Sequence, residues 1–501
     1  MRPLTAPHYG VLGCVVIAKV LLAMWMPLTG DEAYFIVWGQ HPALGYYDHP
    51  PLAGWWLSAV LPLSDHLLAI RFAALAVSLL PAFLIYHSLR ESPQNQWSAT
   101  LVALFLPVFA INIFYTTDTW LVGFGILAMW SYVAATRDDR VVLYLVSGLC
   151  LGLAFFSKYL AVLIGLGMLV DQLIRRRHAI RDLCLILFPV LPFAAVNLWW
   201  NARHCGYNFM FNFVNRQSDA DWNLSGLLTY FAMLLYVMTP WLIIGVIRHR
   251  HSATGVAAGE PRWQWLWVTP LVVLALVSLM KPVGLHWVIP VLFAFLMAAN
   301  LQSWSALWLR RAALATAVFG TLHYLILITV ALVPVEQWIQ PDRADRVGFY
   351  RYGNAVGADL NARLDASWVL ASPSYSRGAV LSYHTNRSVP VIGVGSRYGR
   401  QSDLLHDWAV YDGGKIAVVG ATEAELEGFK VFFEESRLYP VSLHGKTTYW
   451  ILEGEGFQAT QYMAMINPTI AESFYQIPTW MPVSHCEFIE RSKRVETQTR
   501  N

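Results

Sequence analysis

The chain has 501 residues, of which 56% are hydrophobic and 13% are charged, and its formal net charge is +3. A soluble protein carries roughly 25% charged residues, so the deficit indicates long apolar segments. These segments fill the first two-thirds of the chain, where apolar runs of about 20 residues recur and are long enough to cross a bilayer. The composition therefore predicts a polytopic protein embedded in a lipid bilayer, and the small net charge gives no support for a nucleic-acid partner.

The hydropathy pattern predicts about eleven membrane-spanning helices between residues 9 and 334. The first apolar run, residues 9–27, has no small-residue cleavage pattern behind it, so we interpret it as a retained helix. Lys and Arg are concentrated in the loops of one side, including the run "RRRH" at residues 175–178. The positive-inside rule then predicts a cytoplasmic N-terminus, and an odd number of spans places the segment after residue 334 outside the cytoplasm.

The predicted first outer loop, residues 28–66, concentrates ionisable groups in the stretch "LTGDEAYFIVWGQHPALGYYDHPPLAGWW". Asp31 and Glu32 lie at its start, and a purely structural interpretation is an interfacial acid pair at a helix end. Asp48 and His49 precede two prolines, whose fixed φ angles stiffen the chain and hold both side chains in a set geometry. Two acidic sites with rigid flanks suit general-base work together with orientation of a cation or an acceptor.

Further ionisable residues interrupt apolar hairpins on the same predicted face. Asp118 in "FYTTDTW" is a functional candidate because an acid near membrane depth is costly unless it is paired or wet. The alternative is a polar cap on a tight turn. Lys158 in "FFSKYL", with Lys281 and His286 in "KPVGLHW", adds cations beside these carboxylates, an arrangement that suits a phosphate leaving group.

Two charged residues, Lys19 and Arg71, lie inside the first two predicted spans, where an unpaired charge is expensive. They either snorkel, pair within the bundle, or line a pocket for a lipid head group. The segment "NLWWNARHCGYNFMFNFVNR", residues 197–216, places Arg203 among aromatic side chains. It is either a loop that faces sugar or lipid, or an ordinary interfacial aromatic belt.

The five cysteines show no CxxC pair and no His/Cys spacing typical of a metal site. We therefore predict no cofactor, and dependence on a divalent metal stays open. Cys205 and Cys486 both fall in segments predicted to lie outside the cytoplasm, where a disulfide between them is possible.

The pattern of the sequence changes at about residue 335, where the long apolar runs end. Four short segments are predicted to be buried strands: "SWVLASP", "SVPVIGVG", "KIAVVG" and "TTYWILEG". The segment "TEAELEGFKVFFEES" has helical periodicity, and "GVGSRYG" is predicted to be a turn. The predicted fold class is mostly α: a polytopic membrane helix bundle over residues 1–334, followed by a smaller extracytoplasmic α/β domain over residues 335–501.

Several of these motifs occur together in one known family. "GDEAYFIVWGQ…LGYYDHPPLAGWW", "TTDTWLVGF", "FFSKYLAVL", "WWNARHCGYNF" and "KPVGLHWVIP" resemble GT-C polytopic glycosyltransferases of the protein O-mannosyltransferase-like (family 39/83) group, and in particular bacterial lipid A aminoarabinose transferases. The resemblance implies a GT-C fold in the inner membrane. It also implies a polyprenyl-phosphate-linked sugar donor and transfer on the periplasmic face.

The resemblance also implies roles for individual residues. Asp31 matches the acid of the family's "DE" motif, the catalytic or acceptor-orienting carboxylate, with Glu32 beside it, and Asp118 matches the second acid. Where aminoarabinose transferases carry Glu-Lys-Pro-Pro, this chain has Asp48-His49-Pro-Pro, so a titratable histidine replaces a permanent positive charge.

The remaining predicted site residues would bind the donor phosphate or the substrate. Together with Asp48 and His49 they are Lys158, Lys281, His286, Tyr46, Tyr47 and Arg203.

Three functions are consistent with these observations. The leading hypothesis is a glycosyltransferase whose acceptor is lipid A or lipopolysaccharide core, and the second is the same chemistry on a protein or another glycan. A transporter or flippase for a lipid-linked sugar is the third. Transporters place charged or broken helices near the midplane and often contain repeats, whereas this chain has its candidate residues at one predicted face and shows no repeat, so transport is disfavoured. A receptor or assembly factor whose external domain binds a ligand is a further alternative, but it would not need acids at three separate helix ends.

Overall fold

A computed structural model describes residues 6–89, 92–175, 179–217, 221–249, 262–334, 337, 347–443 and 447–492. Part of the arginine run that supports the predicted orientation, residues 176–178, lies outside these ranges. The chain divides into two compact units. The membrane unit comprises Met1–Met26, Asp65–Ala195 and Ala220–Ala331, and the sheet unit comprises the three segments Pro27–Ser64, Val196–Asp219 and Leu332–Asn501.

The membrane unit is built from apolar helices. Within the described residues its helices of four or more residues are Ala6–Trp25, Leu67–Ser88, Pro93–Phe105, Pro107–Ala110, Thr117–Asp138, Val141–Ser157, Ala161–Arg175, Ala179–Arg203, Leu224–Met238, Pro240–His249, Arg262–Ser278, Ile289–Ala298 and Ala306–Leu332. The last turns of Ala179–Arg203 belong to the sheet unit. Side chains such as Leu106, Phe109 and Leu292 are fully buried in its core.

The length of these helices decides which of them can cross a bilayer. In the described part of the chain, five are long and apolar enough, or six if the pair Leu224–Met238 and Pro240–His249, bent by 80°, counts as one span. Four further apolar helices have only 10–17 residues. The chain is therefore a multi-pass membrane protein, whereas the number of about eleven spans stays a prediction.

The apolar run over residues 98–115, which the hydropathy pattern predicts as one span, is broken in the structure. Helix Pro93–Phe105 stops before Pro107, and a short helix, Pro107–Ala110, follows. Proline lacks the N–H that would continue the ladder of backbone hydrogen bonds. Lys19 stabilises the interruption, because its Nζ donates hydrogen bonds to the carbonyls of Phe109 at 2.7 Å and Ala110 at 2.9 Å.

Arg71 likewise donates hydrogen bonds to free carbonyls, here at the end of the first described helix of the chain. Its Nη1 donates to the carbonyls of Ala23 and Met26, each at 2.8 Å, at the C-terminal end of Ala6–Trp25. Carbonyls in the last turn of a helix have no partner within it, so a buried cation there is satisfied and stabilising. Of the alternatives for Lys19 and Arg71, pairing within the bundle is correct, with helix-end carbonyls as the partners.

The sheet unit contains a four-stranded sheet. Its strands are β1 (Trp368–Ala371), β2 (Lys415–Gly420), β3 (Glu435–Ser442) and β4 (Thr448–Glu455), in the order β1-β2-β4-β3. β1 pairs with β2 in parallel, and the other two pairings are antiparallel. Ile416, Val418 and Leu452 are buried in the core of this sheet.

The sheet unit also contains helices, both in its two earlier segments, Pro27–Ser64 and Val196–Asp219, and between its strands. Within the described residues the helical elements include Gly30–Gln40, Leu52–Val60, Tyr207–Phe209, the π-helix Met210–Asn215, Gly353–Arg363, Tyr375–Thr385, Gln401–Leu405, Trp408–Tyr411, Glu423–Leu426, Glu427–Phe432 and Ala459–Phe474. The predicted boundary grouped the first loop with the membrane domain. In the structure, this loop and the C-terminal segment belong to one compact unit.

Three of the four predicted strands are confirmed as β1, β2 and β4. The fourth, "SVPVIGVG", is wrong: it contributes an isolated bridge between Ser372 and Val391, and the positive φ angles of Gly393 and Gly395 turn the chain away. The predicted helix over residues 422–436 is reduced to Glu423–Leu426 and a 3₁₀ segment, since Gly428 weakens a longer helix. β3 was not predicted; it is an edge strand, where its proline is tolerated.

Candidate active site

The acid pair of the first loop begins a helix rather than ending one. Thr29 caps Gly30–Gln40: its Oγ1 accepts from the Glu32 amide at 3.2 Å, and the Glu32 carboxylate accepts from the Thr29 amide at 3.2 Å. This reciprocal arrangement is a capping box. Gly30 is required because a Cβ there would lie 2.5 Å from the Cβ of Ser376. Glu32 is completely buried, so the structure gives it a role in fixing the helix start.

Asp31 has a different environment from its neighbour. Its side chain is exposed, and its Oδ1 accepts a hydrogen bond from the Tyr375 hydroxyl at 3.1 Å. Tyr375 also packs edge-on against Tyr34, with ring centroids 5.2 Å apart. An exposed carboxylate that accepts a hydrogen bond from a tyrosine hydroxyl is suited to meet a substrate. A catalytic role for Asp31 stays a prediction.

Asp48 is the buried acid of the same unit, with 5% of its surface exposed. Burial raises the pKa of its carboxyl from 3.8 to about 7, and the nearby Asp31 carboxylate adds to the increase. The Tyr34 hydroxyl, the Gly399 amide and the Arg216 guanidinium partly offset it.

The backbone amide of Gly399 approaches this carboxyl. The turn that brings the Gly399 amide to Asp48 has φ +73°, and a Cβ at Gly399 would overlap Tyr375, so both backbone and space require glycine. The predicted turn in "GVGSRYG" is therefore confirmed. Asp48 is a carboxyl that changes charge close to neutral pH.

The other predicted residues of the first loop lie in the core of the sheet unit. Tyr46 and Tyr47 are completely buried. Tyr46 stacks on Trp38 at 4.5 Å and donates to the Trp38 carbonyl at 2.9 Å. His49 packs edge-on against Trp38 and Phe211. The structure thus gives Tyr46 and Tyr47 a packing role, and substrate contact by His49 stays a prediction.

Asp118 and Lys158, predicted separately as an acid and a phosphate-binding cation, form an ion pair in the membrane unit. Lys158 Nζ donates to both carboxylate oxygens of Asp118 at 2.9 Å, and the side chains are only 12% and 16% exposed. Asp118 lies in the first turn of Thr117–Asp138, and Ser157 donates to the Thr117 carbonyl at 2.6 Å. The two predicted hairpin turns are therefore joined, and the cation offsets the charge of the acid.

Three predicted cations lie at the edges of helices. His286 lies within the short 3₁₀ turn Leu285–Trp287 of the membrane unit, and Lys281 precedes this turn by four residues. Arg203 is exposed at the end of Ala179–Arg203, and its guanidinium lies over the Trp199 ring at 5.5 Å. Their roles toward a donor phosphate stay predictions. In the described ranges no group of three or more His, Cys, Asp and Glu side chains could hold a metal ion.

Sequence reasoning missed a set of asparagines. Asn208, Asn212 and Asn215, on the segment Tyr207–Asn215, donate to the backbone or side chains of residues 46–48. The signal was visible as the spacing N-x₃-N-x₂-N within "YNFMFNFVN", which places all three on one helical face. Cys205 and Cys486 form a disulfide beside this segment, so the possible pairing is confirmed.

Known structures reveal which fold this is. ArnT from Cupriavidus metallidurans superposes with a TM-score of 0.65 in the apo state and 0.62 with undecaprenyl phosphate bound. The match covers 89% of this chain and 98% of that protein, at 15% sequence identity. The chain has the ArnT fold. The GT-C fold class predicted from the sequence is therefore confirmed.

Sequence comparisons agree with the ArnT fold. Residues 48–200 match the family described as dolichyl-phosphate-mannose-protein mannosyltransferase. Lipid A galacturonosyltransferase RgtD of Rhizobium johnstonii is 28% identical over 239 residues, which cover 44% of this chain and 50% of that protein. The undecaprenyl phosphate-alpha-4-amino-4-deoxy-L-arabinose arabinosyl transferase of Photorhabdus laumondii is 23% identical over 39% of each chain.

The matches to these two relatives span half of their length or less. The predicted resemblance to lipid A aminoarabinose transferases is confirmed as a similarity of sequence and fold. Together with the spanning helices, the ArnT fold indicates a multi-pass protein of the inner membrane.

Proposed function

We propose that this protein is an integral-membrane glycosyltransferase that moves a sugar from a polyprenyl-phosphate-linked donor to lipid A or lipopolysaccharide core. The observation that carries the proposal is the ArnT fold over nearly the whole of a chain that also presents Asp31 and Asp48 in one unit. The relatives' names support it, since they specify a lipid A galacturonosyltransferase and an undecaprenyl-phosphate-sugar arabinosyl transferase.

The proposed reaction breaks the bond between the sugar's anomeric carbon and the donor phosphate oxygen. The phosphate leaves with the electron pair as a polyprenyl phosphate, and an acceptor oxygen forms the new bond to the anomeric carbon. In this scheme Asp31 takes the proton of an acceptor hydroxyl. If the acceptor group is itself a phosphate, little base help is needed and Asp31 orients it instead.

Asp48 would tune this chemistry from its buried position. Because a nearby negative charge raises the pKa of a carboxyl, an ionised Asp48 makes Asp31 a better proton acceptor. Lys281, His286, His49 and Arg203 are the proposed cations for the donor phosphate. Lys158 is a weaker candidate for that role, because it is paired with Asp118.

The orientation of the protein belongs to the same proposal. We propose a cytoplasmic N-terminus and a periplasmic C-terminal segment. A periplasm-active reporter fused after Val347 should then be active, and the same reporter fused after Arg140 should be silent. The opposite pattern would reverse the face on which transfer occurs.

A protein acceptor is the second candidate, and the description of the matched family as a protein mannosyltransferase favours it. The deciding experiment compares a deletion strain with strains complemented by the wild-type gene or by Asp31→Asn. Mass spectrometry of lipid A and core should show a sugar that is absent from the deletion and from the Asp31→Asn strain. Unchanged lipid A and core, with a periplasmic glycoprotein losing its sugar, would establish the second candidate instead.

A further inference from the structure

The segment that carries Asp48 is held by side-chain amides from one short stretch of chain, residues 207–215. Asn208 Nδ2 donates to the carbonyls of Tyr46 and Tyr47, the latter at 3.2 Å. Asn212 Nδ2 donates to the carbonyl of Asp48 at 3.1 Å. Three consecutive backbone carbonyls thus accept hydrogen bonds from two asparagines.

The third asparagine acts on a side chain of the same segment. Asn215 Nδ2 donates to the Tyr47 hydroxyl at 3.0 Å and to the Phe474 carbonyl at 3.1 Å. A residue from another part of the chain also contacts this segment: Gln401 Oε1 accepts a hydrogen bond from the Tyr47 backbone N–H at 2.8 Å. Residues 46–48 therefore have their polar groups fixed from two parts of the chain.

Two further asparagines hold Asn208 in place through hydrogen bonds. Asn208 accepts from Asn197 Nδ2 at 3.2 Å, and its amide donates to Asn201 Oδ1 at 3.0 Å. All three of these side chains are at most 1% exposed. A buried polar network in which the members satisfy one another rigidifies its surroundings. The stretch also includes the π-helix Met210–Asn215, a conformation that is rare and frequent at functional sites.

We propose that Asn208, Asn212 and Asn215 are positioning residues for the sugar-transfer reaction, because they hold the Asp48 carboxyl in its buried place beside Asp31. The inference rests on the proposed function. The asparagines contact no reacting atom in this scheme. They act through the backbone of residues 46–48, and a carboxyl that is free to move toward water would lose its perturbed titration.

The test replaces Asn212 by leucine, a similar-sized side chain that cannot donate a hydrogen bond. Its matched control is Asn361→Leu, because Asn361 Nδ2 donates to the Thr385 carbonyl at 3.3 Å in the same unit, away from the segment. Tyr47→Phe is a milder second variant, which removes the hydroxyl that is one of the two acceptors of Asn215. Tyr47→Phe removes one titratable group that interacts with Asp48. The variants leave unchanged the other charged and titratable groups around it, which are Asp31, Tyr34, Tyr375, Arg216 and the adjacent His49.

Two readouts separate positioning from mere stability. Turnover per folded enzyme should fall about tenfold in Asn212→Leu, with the KM for the donor within about twofold, and the pH midpoint of turnover should move down by about one unit. Tyr47→Phe should move the midpoint in the same direction by less. Hydrogen–deuterium exchange at residues 46–49 should be about tenfold faster in Asn212→Leu and unchanged in Asn361→Leu.

An Asn212→Leu enzyme with the wild-type midpoint, KM and exchange would overturn the positioning role while leaving the proposed function intact. If that variant does not fold, an unchanged midpoint and exchange in Tyr47→Phe would overturn it equally. A wild-type enzyme that transfers no sugar would overturn the proposed function and this inference together.

Discussion

The ion pair between Asp118 and Lys158 allows a sharp test of what these two residues do. Lys158 donates two charge-assisted hydrogen bonds, and both side chains are far less than one-third exposed. Removing one partner leaves a charge in a mostly buried place, which costs about 3–5 kcal/mol for a fully buried pair. Because some exposure remains, we expect Lys158→Met to lower the free energy of unfolding by about 3 kcal/mol.

A double-mutant cycle isolates the interaction between the two residues. Asp118→Asn removes the charge that Lys158 neutralises, so the double variant should recover about 1.5–3 kcal/mol relative to the sum of the single losses. Unfolding in mixed detergent micelles, followed by tryptophan fluorescence, measures each value. Arg137→Met is the control, because the Arg137–Asp138 pair is more exposed and should contribute less than about 1 kcal/mol.

The reasoning fails if the two single losses are additive. A coupling energy near zero would mean that the pair does not join the two hairpin turns, and it would return Lys158 to the list of candidate donor-phosphate cations. Loss of transfer in Lys158→Met without loss of stability would point the same way.

Three further predictions concern the sheet unit. Turnover should rise with pH through about 7, because the raised pKa of Asp48 leaves it protonated below that pH and ionised above it; Asp48→Asn should abolish the rise, and an unchanged pH profile would contradict the assignment. Glu32→Gln should keep transfer within about threefold, since glutamine also completes a capping box, whereas Asp31→Asn should lose about 10²–10⁴-fold; equal losses would make Glu32 catalytic. Changing Cys205 and Cys486 to serine should destabilise the protein by about 2–5 kcal/mol in the same micelle assay, and a reductant should then have no further effect.

Patterns that depend on local composition were predictable from the sequence. The long apolar runs predicted the membrane helices, and the short apolar segments after residue 335 predicted β1, β2 and β4, because buried helices and strands differ in the length of their apolar runs. Asp31 and Asp48 were predicted because ionisable groups cluster in the first loop and two prolines stiffen the chain after Asp48. The strand β3 escaped notice because it lies at a sheet edge with polar residues and a proline in its pattern.

Pairing over long sequence separations could not be predicted. Nothing near Lys19 indicates that its partners are the carbonyls of Phe109 and Ala110, about 90 residues later. Asp118 and Lys158 were each predicted to act alone, since their contact depends on how two hairpins pack.

The division of labour between Asp31 and Glu32 also needed coordinates. The two acids are adjacent in the chain, but the capping box takes only Glu32. The Thr-x-x-Glu spacing was present in the sequence and is a known signature of a helix start. It was obscured by the preceding apolar run, which suggested a helix end instead.

Transfer by the purified protein in vesicles tests the central claim most directly. The donors are undecaprenyl phosphate linked to galacturonic acid or to aminoarabinose, and the acceptor is lipid A. Wild-type protein should form glycosylated lipid A and release undecaprenyl phosphate in equal amounts with one of these donors, and Asp31→Asn should be slower by about 10²–10⁴-fold. Equal rates for wild type and Asp31→Asn, or no transfer with either donor to lipid A or core, would contradict the account.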